Sequence, residues 1–133
     1  MPESEAGRED AAQWLCAAEV LCEGGRAALF RVWQSQQEVG AFALRFEGRV
    51  VAYLNRCQHV PVELDWQPGE FLDSRREVIL CAVHGAAYEP HTGRCVGGPC
   101  GRGRLTPVQV QEREGQVYWY PSADILPVPD TRA

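Results

Sequence analysis

The sequence predicts an all-β domain. Three observations lead there: many short runs of β-branched and aromatic residues, Gly-containing turn signals between them, and no convincing amphipathic helix. Residues 1–10 carry four acids, one Arg and almost no apolar side chain, and are expected to be a disordered acidic tail. Trp14-Leu15-Cys16 opens the first strand, Ala17 to Leu21 can form one helical turn, and Glu23-Gly24-Gly25 signals a change of direction. Ala28 to Val32 is apolar enough for a second strand. The clearest hairpin runs through Ala41-Phe42-Ala43-Leu44-Arg45-Phe46, turns at Glu47-Gly48 and returns through Arg49-Val50-Val51-Ala52-Tyr53-Leu54. Val78-Ile79-Leu80 is a short strand leading into Cys81, and His84 to Arg104, dense in Gly and Pro, is expected to be loop. Val108 to Gln111 and Val117 to Tyr120 flank Glu114-Gly115 as a last hairpin. Residues 11–120 thus form the domain, and 121–133, with three prolines, an irregular C-terminal arm.

A chain of 133 residues suits one domain. Hydrophobic residues at 45% and charged residues at 23% are ordinary globular values. The net charge of −5 argues against nucleic acid as the main partner, because phosphate binding needs a basic face. Three of those units come from residues 1–10, so the folded part is only mildly acidic. All thirteen basic residues are Arg, which excludes Schiff-base and Walker-type lysine chemistry. No apolar stretch approaches the roughly 18–20 residues of a membrane span, so no membrane partner is expected. The N-terminus is acidic and has no apolar h-region, unlike a signal peptide. The expected compartment is a reducing cytoplasm, where cysteines near histidines are better read as ligands than as disulfides.

Two cysteine–histidine pairs carry the chemistry: Cys57-Gln58-His59 and Cys81-Ala82-Val83-His84. Each follows a predicted strand, so each sits on a loop at the end of a sheet. Two thiolates and two imidazoles can ligate zinc tetrahedrally. They can also hold a [2Fe–2S] cluster with both Cys on one iron and both His on the other. Zinc fingers group Cys with Cys and His with His, whereas here each loop supplies one of each, which suits two metals straddled by both loops.

The spacing, with twenty-one residues between His59 and Cys81, resembles the Rieske iron–sulfur family. So does the run that follows: His84-Gly85-Ala86-Ala87-Tyr88, then Thr92-Gly93, then Gly97-Gly98-Pro99. The similarity spans roughly Trp14 to Tyr120. It implies a Rieske-like antiparallel β-sandwich or barrel with a small cluster-binding subdomain of two loops, and one Rieske-type [2Fe–2S] cluster. The implied ligands are Cys57, His59, Cys81 and His84. Gly85 and Tyr88 are implied around the cluster, and Gly97, Gly98 and Pro99 as its covering loop. Two ferric irons, two sulfides and two thiolates sum to a neutral core, so neutral imidazoles ease electron addition, giving a family range of about −150 to +300 mV. Reduction then makes the imidazoles hold their N–H protons more tightly. High-potential members carry a Ser where this chain has Ala86 and a Tyr where it has Tyr88, and a loop-bridging Cys where it has Val62. A low to intermediate potential is therefore expected.

The resemblance implies a ferredoxin-like electron carrier, not an enzyme, passing one electron between a reductase and an oxygenase or other redox enzyme. Only His91 is left over after ligation, so these residues cannot build the 2-His-1-carboxylate iron site of an oxygenase. The alternatives are a small Rieske subunit of a larger reductase such as nitrite reductase, and a zinc-binding interaction module. Elsewhere, His91 reads as a solvated turn residue, and Cys16 and Cys22 as core or partly exposed thiols. Cys95 and Cys100 read first as separate thiols, and second as a reversible disulfide across the covering loop. Phe42, Tyr53, Trp66 and Trp119 are expected in the core, Arg102 and Arg104 in solvent, and Gln58, Val60, Pro61 and Val83 around the exposed imidazoles.

Overall fold

The structure, a computed structural model, describes residues 12–56, 63–65, 67–81 and 85–129. Among the described residues, nine strands form three antiparallel sheets of three strands each. The first sheet contains β1 (Gln13–Ala17), β9 (Gln116–Tyr120) and β8 (Gln109–Arg113), in that order. The second contains β2 (Ala28–Gln34), β3 (Gln37–Phe46) and β4 (Arg49–Leu54). The third and smallest contains β5 (Ile79–Leu80), β6 (Ala87–Tyr88) and β7 (Cys95–Gly97). The predicted all-β class therefore holds. The helical element expected near Ala17 is a single 3₁₀ turn, Ala18–Val20, and a second 3₁₀ turn spans Gly98–Cys100.

The long strand β3 explains how the sheets divide the interior. Successive side chains of a strand point to opposite faces. Phe42, Leu44 and Phe46 enter one core, and Ala41 and Ala43 enter the other. Its partner β4 repeats the division, with Tyr53 in the first core and Ala52 and Leu54 in the second. All four residues from Ala41 to Leu44 are 2% exposed or less, so β3 is an interior wall with both faces covered. The second core fills the space toward the first sheet, with Cys16, Val117 and Trp119. The first core lies toward the third sheet, with Phe71, Ile79, Cys81, Ala86 and Tyr88. Phe42 stacks on Phe71 there with ring centroids 3.7 Å apart. Burying one such phenyl ring contributes roughly 1.5–3 kcal/mol.

Two-residue turns with both central residues at positive φ join the hairpins, the geometry that matches strand twist. They are Ser35-Gln36, Glu47-Gly48 and Glu114-Gly115. The second is reinforced from outside: Glu23 accepts the Glu47 amide at 2.5 Å and the Gly48 amide at 2.8 Å. These bonds favour the charged carboxylate and lower the Glu23 pKa. Arg45 ties the sheets together, donating to the Leu21 carbonyl at 2.8 Å and pairing with Glu112 at 2.9 Å. After β9 the chain packs back: Ile125 is buried, and Leu126 bridges Trp33 through two backbone hydrogen bonds. No helix among the described residues is long and apolar enough to cross a membrane.

The stretch 85–104 departs from the expectation of plain loop, because it contains β6, β7 and the second 3₁₀ turn. Tyr88 pairs with Ile79 on one side and Cys95 on the other, which gives this segment its backbone partners. His91 lies in the expected turn but is only partly solvated. Its ring meets Phe46 edge-on at 5.1 Å, its Nε2 lies 2.8 Å from Glu47, and its Nδ1 is buried without a partner. Arg102 and Arg104 are both exposed as expected, and Arg104 also donates to the Thr92 carbonyl at 3.0 Å. Phe42, Tyr53 and Trp119 lie in the cores as expected, and Trp66 lies outside the described residues.

Tyr53 anchors the turn after β6. Its hydroxyl donates to the Pro90 carbonyl at 2.7 Å, and burial, then the charge of Glu89, pushes its pKa up to about 12. Between pH 10 and 12 the unfolded phenol ionises while the folded one holds its proton, so stability falls as pH rises. Tyr53→Phe is expected to lose about 1 kcal/mol at pH 8. It should also escape an alkaline loss of up to about 2–3 kcal/mol that the native chain suffers. Urea midpoints at pH 8 and pH 11 for both proteins check this.

Candidate metal centre

The two Cys–His segments leave from the ends of β4 and β5. Cys57, Gln58, His59, Val60, Pro61 and Val62 lie outside the described residues, as do Ala82, Val83 and His84. What the structure shows is how each segment is held at its base.

The first segment is closed by Asn55, which follows β4. Among the described residues Asn55 is the only buried polar side chain, 7% exposed. Its Oδ1 accepts the amide of Leu64 at 2.7 Å, and its Nδ2 donates to Asp65 at 3.1 Å. The other carboxylate oxygen of Asp65 accepts the Gly69 amide at 3.1 Å. One side chain thus pins the exit of the segment to its entrance, and Leu64 is fully buried. The Asn55 backbone is itself fixed, its amide donating to the Gly40 carbonyl at 2.8 Å.

The second segment is closed by backbone alone. The Cys81 amide donates to the Ala86 carbonyl at 2.7 Å, and the Gly85 amide donates to the Cys81 carbonyl at 2.9 Å. Cys81 and Ala86 are fully buried, while Gly85 is exposed. Leu64, Cys81 and Ala86 all belong to the first core, together with Tyr88. The bases of the two segments are therefore held by one packed cluster.

The expected covering residues lie over the second base. Gly97 pairs with Ala87, and Gly98 and Pro99 are exposed in the 3₁₀ turn that follows. Gly98 has φ +77°, and a Cβ there would stand 2.5 Å from the Gly85 carbonyl oxygen and 2.9 Å from the Ala86 Cα. Only a residue without a side chain lets the two backbones come so close. Cys95 and Cys100 correct the expectation of two separate thiols: they form a disulfide with Cα atoms 5.8 Å apart. The antiparallel return of the chain, with the Gly103 amide on the Cys100 carbonyl, brings the two together. Cys16 is buried and Cys22 exposed.

The model of the Rieske [2Fe–2S] domain matches residues 12–122. The chain belongs to the Rieske family. Solved structures agree on the fold. The Rieske chain resembles a chain of the complex of reduced oxygenase and oxidized ferredoxin in carbazole 1,9a-dioxygenase, with TM-score 0.63 and 24% identity. That alignment covers 83% of this chain and 93% of the other. The ferredoxin of carbazole 1,9a-dioxygenase from Nocardioides aromaticivorans IC177 aligns with TM-score 0.65 and 18% identity, over 84% of this chain and 99% of that one. The terminal oxygenase from the same organism aligns with TM-score 0.63 and 21% identity, over 89% of this chain but 32% of its own. No curated protein matches the chain. Sequence reading of the Rieske motif did not single out Asn55, whose role depends on an amide nine residues away.

Proposed function

We propose that this Rieske chain is a one-electron carrier of the ferredoxin type, passing electrons from a reductase to a terminal oxygenase. The observation that carries the reading is span: the chain covers 99% of a solved ferredoxin but only 32% of the oxygenase from the same organism. Cys57, His59, Cys81 and His84 would hold one Rieske-type [2Fe–2S] cluster. The donor set fits, with one sulfur and one nitrogen from each of two segments whose bases share a core. When bound, such a cluster supplies a site that takes up and gives back one electron, with His ligation raising its potential.

The chain's own residues would provide rigidity and exposure. Asn55 and the Cys81–Ala86 hydrogen bonds fix the bases, so the site need not reorganise between charge states. Val96, 57% exposed in the strand that leads into the covering turn, offers a small apolar contact suited to a transient partner. With His59 and His84 as ligands, only His91 remains among three histidines, and it is engaged with Glu47. The proposed role therefore involves no second iron site in these residues.

Metal and sulfide analysis with EPR tests the reading. Two irons and two labile sulfides per chain are expected, with a low-average-g signal on reduction that Cys81→Ser abolishes. One zinc and no visible absorbance would overturn it.

A further inference from the structure

We propose that Cys95 and Cys100 are a two-electron modification site: a disulfide that a dithiol reductant opens, and whose closure holds the Gly98–Cys100 turn on the base of the Cys81 segment. The site stands on its own residues; only its nearness to a cluster rests on the function proposed above.

Four observations support it. The pair is unequal: Cys95 is half-buried between exposed Arg94 and Val96, whereas Cys100 is buried. A thiolate from solvent therefore reaches the sulfur of Cys95 first. The buried partner has somewhere to go once released, because Cys100 Sγ lies 3.2 Å from the Gly97 carbonyl oxygen and 3.7 Å from that of Ala87. As a thiol it can donate to either, so the open form is also satisfied. The disulfide is also not the only tie in its loop, so its opening need not unfold the loop. The Cys95 amide already bonds the Gly103 carbonyl, Gly103 bonds Cys100, and Leu105 bonds Gly93. A cross-link five residues apart removes less chain entropy than one that closes a long loop. Finally, the ring is one strand from the candidate ligand Cys81. Cys95 pairs with Tyr88 and Gly97 with Ala87, and the backbone of Gly98 rests on Gly85 and Ala86. Those two residues make the hydrogen bonds that close the Cys81 segment.

The exchange balances. One thiolate of the reductant attacks Cys95 Sγ, the Cys95–Cys100 bond breaks, and Cys100 leaves as a thiolate that takes a proton. The second thiolate of the reductant then attacks its own sulfur in the mixed disulfide and releases Cys95, which is protonated. Two electrons pass from the dithiol, which ends as a disulfide, and an oxidised dithiol reverses the process.

The test uses the full iron-loaded chain, equilibrated in dithiothreitol buffers of graded oxidised-to-reduced ratio, acid-quenched and alkylated. Peptides carrying Cys95 and Cys100 should gain label together in one two-electron step while the visible absorbance persists. Amide exchange at Cys81 and Gly85 should be at least threefold faster in the reduced chain. The C95S/C100S double variant should show the faster exchange without reductant. Full labelling in oxidised buffer, opening only with global unfolding, or equal exchange in both forms would overturn the proposal. A chain without iron would defeat the proposed function, while the thiol step and exchange rates would still decide this one.

Discussion

Replacing Asn55 by Leu is expected to cost about 2–4 kcal/mol and to reduce cluster loading. The side chain makes two hydrogen bonds, and the Leu64 amide it satisfies is fully buried. Leu would fill the space but leave that donor without a partner, and an orphaned buried donor costs about 1–3 kcal/mol. The lost bond to Asp65 adds to this and loosens the carboxylate that holds Gly69. The sharpest readout is local. Protection of the Leu64 amide against exchange should fall about 30-fold for a loss near 2 kcal/mol. Asn55→Asp separates the two bonds, since it keeps an acceptor for Leu64 but sets a carboxylate against Asp65. Like charges side by side repel, so Asn55→Asp should keep the Leu64 amide protected and still lower stability. A Leu variant with native protection at Leu64 would show that Asn55 does not close the segment.

What the sequence made legible follows from range. The Glu47-Gly48 and Glu114-Gly115 hairpins were readable because residue types that accept positive φ sit between alternating strands. Ser35-Gln36 turns in the same way without glycine, so the hairpin between β2 and β3 was invisible, and β2 runs on to Gln34. The Cys–His pairs are contiguous motifs and needed no fold to be seen. Their supports are not contiguous. Asn55 acts on residues nine and ten positions away, and His91 meets Glu47 across 44 positions. Strands of two and three residues such as β6 and β7 carry too little pattern to stand out from a Gly-rich segment. The Cys95–Cys100 pairing was one of two readings, because a spacing of five does not say where the two Cβ atoms point.

Gly98→Ala is the second large effect, and it is best measured against Gly115→Ala. Both glycines have φ +77°. Around Gly115 a new Cβ meets nothing within 4 Å, so its substitution isolates backbone strain, on the order of 1 kcal/mol. At Gly98 the same strain is joined by contacts of 2.5 Å and 2.9 Å with the Gly85 oxygen and the Ala86 Cα. Those atoms are backbone, so no rotamer change relieves them, and overpacking of this kind typically costs a further 1–3 kcal/mol. Gly98→Ala should therefore lower stability by about 2–4 kcal/mol, measured as urea midpoints beside Gly115→Ala. The chain can reduce that cost only by lifting the covering turn off Gly85 and Ala86. The Gly85 and Cys81 amides should then exchange faster in Gly98→Ala and not in Gly115→Ala. Equal midpoints and equal exchange in the two variants would mean that the turn is not seated on the Cys81 segment. The ordering of the two variants thus reports directly on whether one loop covers the other.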